Sequence, residues 1–139
     1  MWDSSALVKL YADEERAVEA RSWGGPIAIS ALSLAEVLAA VWGKVARDEL
    51  DDEQAATLDR AFIADVRGGR FAVLPVADPV VVRSLACVRR HRLRGADAVQ
   101  LASALVAREA DPDVNTMAVF DRRLRTAAST EGLALLPAA

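Results

Sequence analysis

Apolar residues along this chain fall into two alternating patterns. Short apolar runs with the length of strands occupy residues 27–29, 71–76, 117–120 and 133–136. Longer segments, in which apolar residues recur at helical spacing, separate these runs. Because short apolar strands that alternate with helices are typical of parallel sheets covered by helices, the pattern predicts an α/β fold.

Three of the helical segments have recognisable boundaries or faces. The segment at 33–46 predicts a helix with one core-facing stripe, formed by Leu34, Val37, Leu38, Val41, Trp42 and Val45. A second helix is predicted from Asp51 to about Arg67, because acidic side chains in a first turn favour the positive end of the helix dipole. A third is predicted to start with Asp78 as N-cap and Pro79 as its first residue.

The segment at 96–107 is apolar on nearly every side, with Asp97, Gln100 and Ser103 as its only polar residues. This composition predicts a buried helix. Charged side chains are rarely buried without a partner. Asp97 therefore needs a nearby cation or several hydrogen-bond donors.

Three further carboxylates stand out by their positions. Asp3 and Asp121 each come directly before a helical segment, where a strand is expected to end. In open α/β sheets, ligand sites collect at the carboxyl ends of the strands. Glu36 points away from the apolar stripe of its helix, and its face is lined by small residues, namely Ala39, Ala40 and Gly43. A face of this kind indicates close approach by another group.

Each of the four acids also has a purely structural explanation. Asp3 and Asp121 could be N-caps, Glu36 could close a capping box with Ser33, and Asp97 could complement a helix dipole. Caps do not need a common location, whereas the positions of these acids suggest that they converge. Converging carboxylates repel one another unless a cation neutralises them, and oxygen-only ligands favour Mg²⁺ or Mn²⁺.

Composition narrows the choice of ligand and partner. With one Cys and one His, the chain has neither a disulfide framework nor the ligands of a structural zinc site. The net charge of −3 argues against wholesale coating of nucleic acid, although a local basic patch is compatible with it. Candidate residues for contact with RNA or with an acidic partner protein are Arg89, Arg90, Arg92, Arg94, Arg122 and Arg123.

The sequence also bears on location. Asp3 and Lys9 interrupt the N-terminal region where a secretory signal would have an unbroken apolar core. No apolar run approaches the roughly 18 residues that a membrane span needs. We therefore expect a cytoplasmic protein without a membrane segment.

Four segments, DSSALVKLY, SLAEVLAA, RGADAVQLASAL and VFDRRLRTAA, occur in an order and spacing that resemble the PIN-domain ribonucleases. The resemblance is specifically to VapC-type toxins of bacterial toxin–antitoxin pairs. It implies an acidic quartet at Asp3, Glu36, Asp97 and Asp121, supported by the hydroxyl of Ser4. It also implies a single PIN-like domain over residues 1–139, folded as a three-layer α/β/α sandwich around a mainly parallel sheet of about five strands.

One feature departs from the family pattern. Members usually have a longer apolar strand before the first acid, whereas only Met1 and Trp2 precede Asp3 here. We expect either a very short first strand or a natural chain that begins earlier.

The resemblance implies a metal-dependent endoribonuclease that acts on RNA as a toxin. Mg²⁺, or Mn²⁺, held by the quartet would bind the scissile phosphate and present a water as nucleophile. The implied partners are a VapB-type antitoxin and a second copy of the chain, with small residues on helices such as 33–46 favouring a homodimer through the early helices. The alternative is a non-catalytic PIN-like scaffold that mainly binds a partner protein.

Overall fold

The computed structural model describes residues 1–138. Its α-helices are α1 (Ser4–Leu7), α2 (Ala17–Ser22), α3 (Leu32–Ala46), α4 (Asp52–Arg67), α5 (Asp78–His91), α6 (Gly95–Ala110) and α7 (Arg122–Thr130). Its strands are β1 (Ile27–Ser30), β2 (Phe71–Leu74), β3 (Thr116–Ala118) and β4 (Ala134–Leu136). A 3₁₀ turn, Val8–Leu10, extends α1. The predicted alternation of helices and short strands is confirmed.

The strands form two parallel pairs that meet at the N-terminus. β1 pairs with β2, and β3 pairs with β4. Trp2 lies between the pairs and makes parallel bridges to Ile29 and Ala118. Its amide donates to the carbonyl of Ala28 at 2.8 Å, and the amide of Ala118 donates to the carbonyl of Met1 at 2.8 Å. Where about five strands were predicted, residues 1–138 contain four strands and this bridging residue.

Helices pack on both faces of these strands. Met117 and Val119 belong to a core cluster with residues of α5, α6 and α7, whereas Ala118 belongs to a cluster with residues of α1, α3 and α4. Successive side chains of a strand point to opposite faces, so the two clusters lie on opposite sides of the sheet. The chain segments that precede Asp3 and Asp121 are therefore packed on both faces.

The predicted helix boundaries are close to those observed. The helix predicted from Asp51 to about Arg67 is α4, which has Asp51 as its N-cap, in a capping box with Gln54, and ends at Arg67. Ala77 takes the N-cap position of α5, so the prediction of Asp78 as N-cap is wrong by one residue. The first turn still tolerates Pro79, because the amide that proline lacks has no partner within the helix at that point.

The predicted stripe on α3 is rotated in the structure. Val37 and Val41 are fully buried, as expected. Trp42, however, is 39% exposed and donates through Nε1 to the carboxylate of Asp59 at 2.8 Å. Lys44 is buried instead, because its ammonium group finds carboxylate partners. The indole N–H of Trp42 needs a hydrogen-bond acceptor, and Asp59 of α4 provides one at the surface of the protein.

Helix α6 is the buried helix that its composition predicted. Its buried residues are Ala98, Gln100, Leu101, Ala102, Ser103, Ala104 and Leu105.

Within the described part of the chain, none of the helices combines the length and the apolar character needed to cross a membrane.

Candidate functional site

Asp3 lies directly after the bridging residue Trp2 and caps α1. Its Oδ2 accepts hydrogen bonds from the amide of Ser5 at 3.0 Å and from the Ser5 hydroxyl at 2.6 Å. Asp3 is only 3% exposed. Burial raises the pKa of this carboxyl to about 6 despite the Ser5 hydrogen bonds, and the negative charge of Glu36 adds to the rise. The N-cap explanation is confirmed, yet it leaves a buried carboxylate whose charge is not balanced.

Ser5 connects Asp3 to the end of the neighbouring strand. The Ser5 Oγ that donates to Asp3 also accepts from the amide of Phe120 at 3.0 Å. Phe120 immediately precedes Asp121. The family resemblance implied Ser4 as the supporting hydroxyl, but the hydroxyl in contact with Asp3 belongs to Ser5. Both follow Asp3 in the same DSS motif, so the spacing of the motif did not separate them.

Glu36 is held by a residue on another helix. The Gln100 side chain of α6 donates through Nε2 to Glu36 Oε1 at 2.6 Å and to Ser33 Oγ at 2.8 Å. The alternative explanation of Glu36, a capping box with Ser33, is wrong, because Ser33 lies inside α3 and the N-cap is Ala31. Gln100 was missed as a site residue, although a lone amide one turn after Asp97 on an apolar helix was a visible signal.

Asp97 lies in the first turn of α6, where it is half-buried. Burial raises its pKa, and the charges of Asp121 and Glu36 raise it further. The positive charges of Arg94 and Arg123 act in the opposite direction without cancelling the rise. Asp97 is therefore close enough to two other carboxylates to be affected by their charge.

Asp121 caps α7 from the end of β3. Its Oδ1 accepts from the amide of Leu124 at 2.9 Å, while the residue as a whole is exposed. The alternative explanation of Asp121 as an N-cap is confirmed. Because a capping carboxylate uses one oxygen in this contact, the other oxygen is free for a second role.

The four predicted acids form one electrostatic neighbourhood. Glu36 acts on Asp3 and on Asp97, and Asp121 acts on Asp97. Among residues 1–138, none of the four takes part in an ion pair. Within the same residues, no three acidic, His or Cys side chains converge into a preformed metal site. Carboxylate oxygens are the ligands that Mg²⁺ and Mn²⁺ prefer, so the residue types of this set fit these ions.

The predicted basic residues separate into distinct environments. A cavity of about 420 Å³ brings together Arg92, Arg122 and Arg123, with His91, Thr126 and Ala127 in its lining. Arg90 instead forms an ion pair with Glu131 at 3.1 Å, and His91 Nε2 contacts the same carboxylate at 2.7 Å. Arg94 occupies the N-cap position of α6, and Arg89 is exposed on α5. The cavity therefore has three arginines, and Arg123 connects it to the acidic neighbourhood.

Comparison with known proteins places this geometry in a family. A sequence model of the PIN domain matches residues 1–129. The chain belongs to the PIN-domain family. All four acids of the quartet lie within the matched PIN domain.

Two relatives of this PIN domain come from Mycobacterium tuberculosis. One is Ribonuclease VapC45 of strain CDC 1551 / Oshkosh, and the other is Ribonuclease VapC49 of strain ATCC 25618 / H37Rv. Each is 37% identical over 142 residues, covering 99% of this chain and 94% of the relative. The similarity therefore extends over nearly the full length of both proteins, and it confirms the VapC-type resemblance.

Proposed function

We propose that the chain is a metal-dependent endoribonuclease that hydrolyses RNA phosphodiester bonds. The observation that carries this proposal is the cluster of acids without paired cations around the buried carboxylate of Asp3. Its full-length similarity to two proteins named as ribonucleases supports RNA as the substrate. Unbalanced carboxylates cost folding stability, so their presence in one place favours a functional role.

Each of the four acids would have its own role in binding the metal ion. Asp3, Asp97 and Asp121 would be direct or water-mediated ligands of Mg²⁺ or Mn²⁺, and Glu36 would be a ligand or would orient the attacking water. When bound, the ion would stabilise negative charge on the scissile phosphate and would lower the pKa of bound water. Ser5 would keep Asp3 in place through its two hydrogen bonds.

The arginine-lined cavity would guide the RNA backbone toward these acids. Arginine forms bidentate hydrogen bonds with phosphate oxygens, and such contacts position a nucleic acid without reading its sequence. Arg92, Arg122 and Arg123 share the cavity, and Arg123 is close enough to Asp97 to affect its pKa. RNA contact is therefore proposed for these three residues ahead of Arg89, Arg90 and Arg94.

A cleavage assay with purified protein and total cellular RNA tests the proposal. We expect cleavage with Mg²⁺ or Mn²⁺, and loss of cleavage after exhaustive chelation, because the candidate ligands are hard oxygen atoms. Cleavage that survives chelation, or that requires zinc, would contradict the proposed metal chemistry. Mapping the cut sites in the same experiment would identify the RNA that is recognised.

We further propose that the protein is the toxin of a toxin–antitoxin pair, acts in the cytoplasm, and binds a VapB-type antitoxin and a second copy of itself. The small-residue face of α3 was the sequence evidence for a homodimer. The exposed apolar residues concentrate elsewhere, on α5, where they are Val81, Val82, Leu85 and Val88. If α5 forms the dimer interface, Leu85→Glu should convert a dimer to a monomer in light scattering coupled to size-exclusion chromatography.

The same apolar face is the observation that favours the second candidate function, a non-catalytic scaffold that binds a partner protein. The ribonuclease would need the four acids for metal binding, whereas the scaffold would not. A scaffold would show neither metal binding nor RNA cleavage, so a metal titration of the purified protein separates them.

The bridges made by Trp2 support a finer description of the fold. With Trp2 between β1 and β3, the two strand pairs would join into one parallel sheet of about five strands, with helices on both faces. We propose that this three-layer α/β/α sandwich forms a single PIN domain over residues 1–139.

A further inference from the structure

Gln100 has an unusual position for an amide side chain. It is completely buried on α6, one turn after Asp97. Its amide nitrogen has two protons, and both are used on α3: one for Ser33 Oγ at 2.8 Å and one for Glu36 Oε1 at 2.6 Å. The assignment of the nitrogen to this side follows from Glu36, because an ionised carboxylate accepts hydrogen bonds and cannot donate them.

Packing alone does not account for a glutamine here. Its Oε1 is buried and has no hydrogen-bond partner among residues 1–138, and the same is true of Ser103 Oγ one turn further along α6. Leaving a buried polar atom unpaired destabilises a fold, so an apolar side chain of similar length would suit the surrounding core better. An apolar side chain would lack the amide N–H groups that donate to Ser33 and Glu36 of α3.

Glu36 needs an external restraint to stay near the other acids. Its side chain has three rotatable bonds and is half-buried, and its charge repels the carboxylates of Asp3 and Asp97. Without a donor at its inner oxygen, a glutamate in this position would turn toward water. The short hydrogen bond from Gln100 to Glu36 Oε1 opposes this movement. The second carboxylate oxygen of Glu36, Oε2, receives no hydrogen bond from Gln100.

We propose that Gln100 is a positioning residue that fixes the Glu36 carboxylate of α3 beside Asp97 of α6, and so organises the acids for a divalent cation. The inference rests on the proposed metal-dependent function. Partners that orient ligand side chains in this way typically change metal affinity by about 10–100-fold when they are removed. Gln100 itself would not touch the ion or the RNA.

The test compares two variants of the same helix, with Mg²⁺ alone as the probe and no RNA present. Gln100→Met keeps the length of the side chain and removes both donors. Ser103→Ala removes a buried polar atom of α6 that does not contact Glu36, and it serves as the matched control. The readout is the rise in melting temperature as Mg²⁺ is added, because selective binding to the folded state stabilises it.

For Gln100→Met, we expect the Mg²⁺ concentration at half-maximal stabilisation to rise by about 10–100-fold, with little change in the melting temperature of the metal-free protein. Ser103→Ala should respond to Mg²⁺ as the wild type does. If Gln100→Met does not fold, Gln100→Leu removes the same two donors with a smaller apolar side chain, and the same loss of Mg²⁺ response is expected.

The outcomes distinguish this inference from the proposed function. A wild-type protein that gains no stability from Mg²⁺ and does not cleave RNA would overturn both. A wild-type protein that responds to Mg²⁺, combined with a folded Gln100 variant that responds equally, would overturn the positioning role alone. An equal loss in Ser103→Ala would also overturn it, because the effect would then reflect general damage to α6.

Discussion

Two clusters of charged side chains in this protein are organised in opposite ways. In the first, Glu14 accepts from Lys44 at 2.8 Å and from Lys9 at 3.2 Å, and Lys44 also pairs with Glu49 at 3.2 Å. Both lysines are 9% exposed. The second is the acidic neighbourhood around Asp3, in which none of the four proposed site carboxylates has a paired cation among residues 1–138.

The pKa values of the two clusters move in opposite directions. Burial alone would raise the pKa of Glu14, but hydrogen bonds from Lys44 and Lys9 outweigh it, so the pKa of this carboxyl is lowered. Burial raises the pKa of Asp3 and of Asp97, and neighbouring carboxylates increase the effect. The first cluster thus stabilises the fold by itself. The second has no cation partner of its own among residues 1–138, and we propose that a divalent cation balances it.

The largest expected effect is on cleavage, in Asp121→Asn. Asparagine caps a helix about as well as aspartate, so the contact to the Leu124 amide should persist, and stability should change by at most about 0.3–1 kcal/mol. Cleavage should fall by orders of magnitude, because a neutral amide is a poorer ligand for Mg²⁺. Urea unfolding and a cleavage assay on the same sample check both parts. Wild-type cleavage in this variant would remove Asp121 from the site.

Much of the acidic cluster could be predicted from the sequence, because its signals are local. Asp3 and Asp121 each lie just before a helix, and Asp97 is the only charged residue of the mostly apolar segment 96–107. These patterns do not depend on which other segment lies nearby. The choice between Ser4 and Ser5 could not be made in this way, since it depends on the direction of one side chain.

The balanced cluster could not be predicted, because its partners come together only through packing. Lys44 and Glu14 belong to separate segments, and each is of a residue type that is usually exposed. Lys44 is buried on α3, whereas Trp42 of the same helix is at the surface, although the apolar pattern placed Trp42 in the core. Gln100 was overlooked for a similar reason: its acceptors, Ser33 and Glu36, lie on a different helix.

The balanced cluster is expected to matter for stability and not for chemistry. Glu14→Gln removes the negative charge shared by Lys9 and Lys44, and we expect a loss of roughly 2–3 kcal/mol in the free energy of unfolding. Cleavage per folded molecule should be unchanged. Glu49→Gln is the matched control with a smaller loss, since Glu49 is more exposed and pairs with Lys44 at the longer distance of 3.2 Å. A large loss of cleavage in folded Glu14→Gln would contradict the prediction that this cluster affects stability and not cleavage.

The acidic cluster is expected to give the opposite dependence on pH. Folded Asp3 has a pKa of about 6, above its ordinary value of 3.8, so between these values the folded state binds a proton that the unfolded state has lost. Metal-free stability should therefore fall as the pH rises from about 4 to about 6, by up to roughly 2–3 kcal/mol.

Asp3→Asn isolates this contribution. The variant should be more stable than the wild type at pH 7 without divalent ions, and its advantage should shrink as the pH falls toward 4. Glu14 contributes with the opposite sign, because its lowered pKa gives stability above its ordinary value of 4.5 that is lost on acidification. Glu14 contributes equally to the wild type and to Asp3→Asn, so subtracting the two free energies of unfolding removes its contribution. An advantage that does not vary with pH would show that the charge of Asp3 is compensated.

The smallest expected effect concerns the arginines at the edge of the acidic cluster. Arg122→Ala should weaken RNA binding and reduce the slope of log affinity against log salt by about 1, as expected for the loss of one phosphate contact. Arg90→Ala should change this slope less, because Arg90 is paired with Glu131 and lies outside the lining of the cavity. Equal slopes for both variants would place the RNA elsewhere.

The most direct test of the central claim is a calorimetric titration of the metal-free protein with Mg²⁺ and with Mn²⁺, in the absence of RNA. The wild type should bind the ion, and Asp97→Asn should bind it much more weakly while retaining or gaining stability, because repulsion from Glu36 and Asp121 is relieved. A wild type that binds neither ion, or an Asp97→Asn variant that binds as tightly as the wild type, would contradict the account.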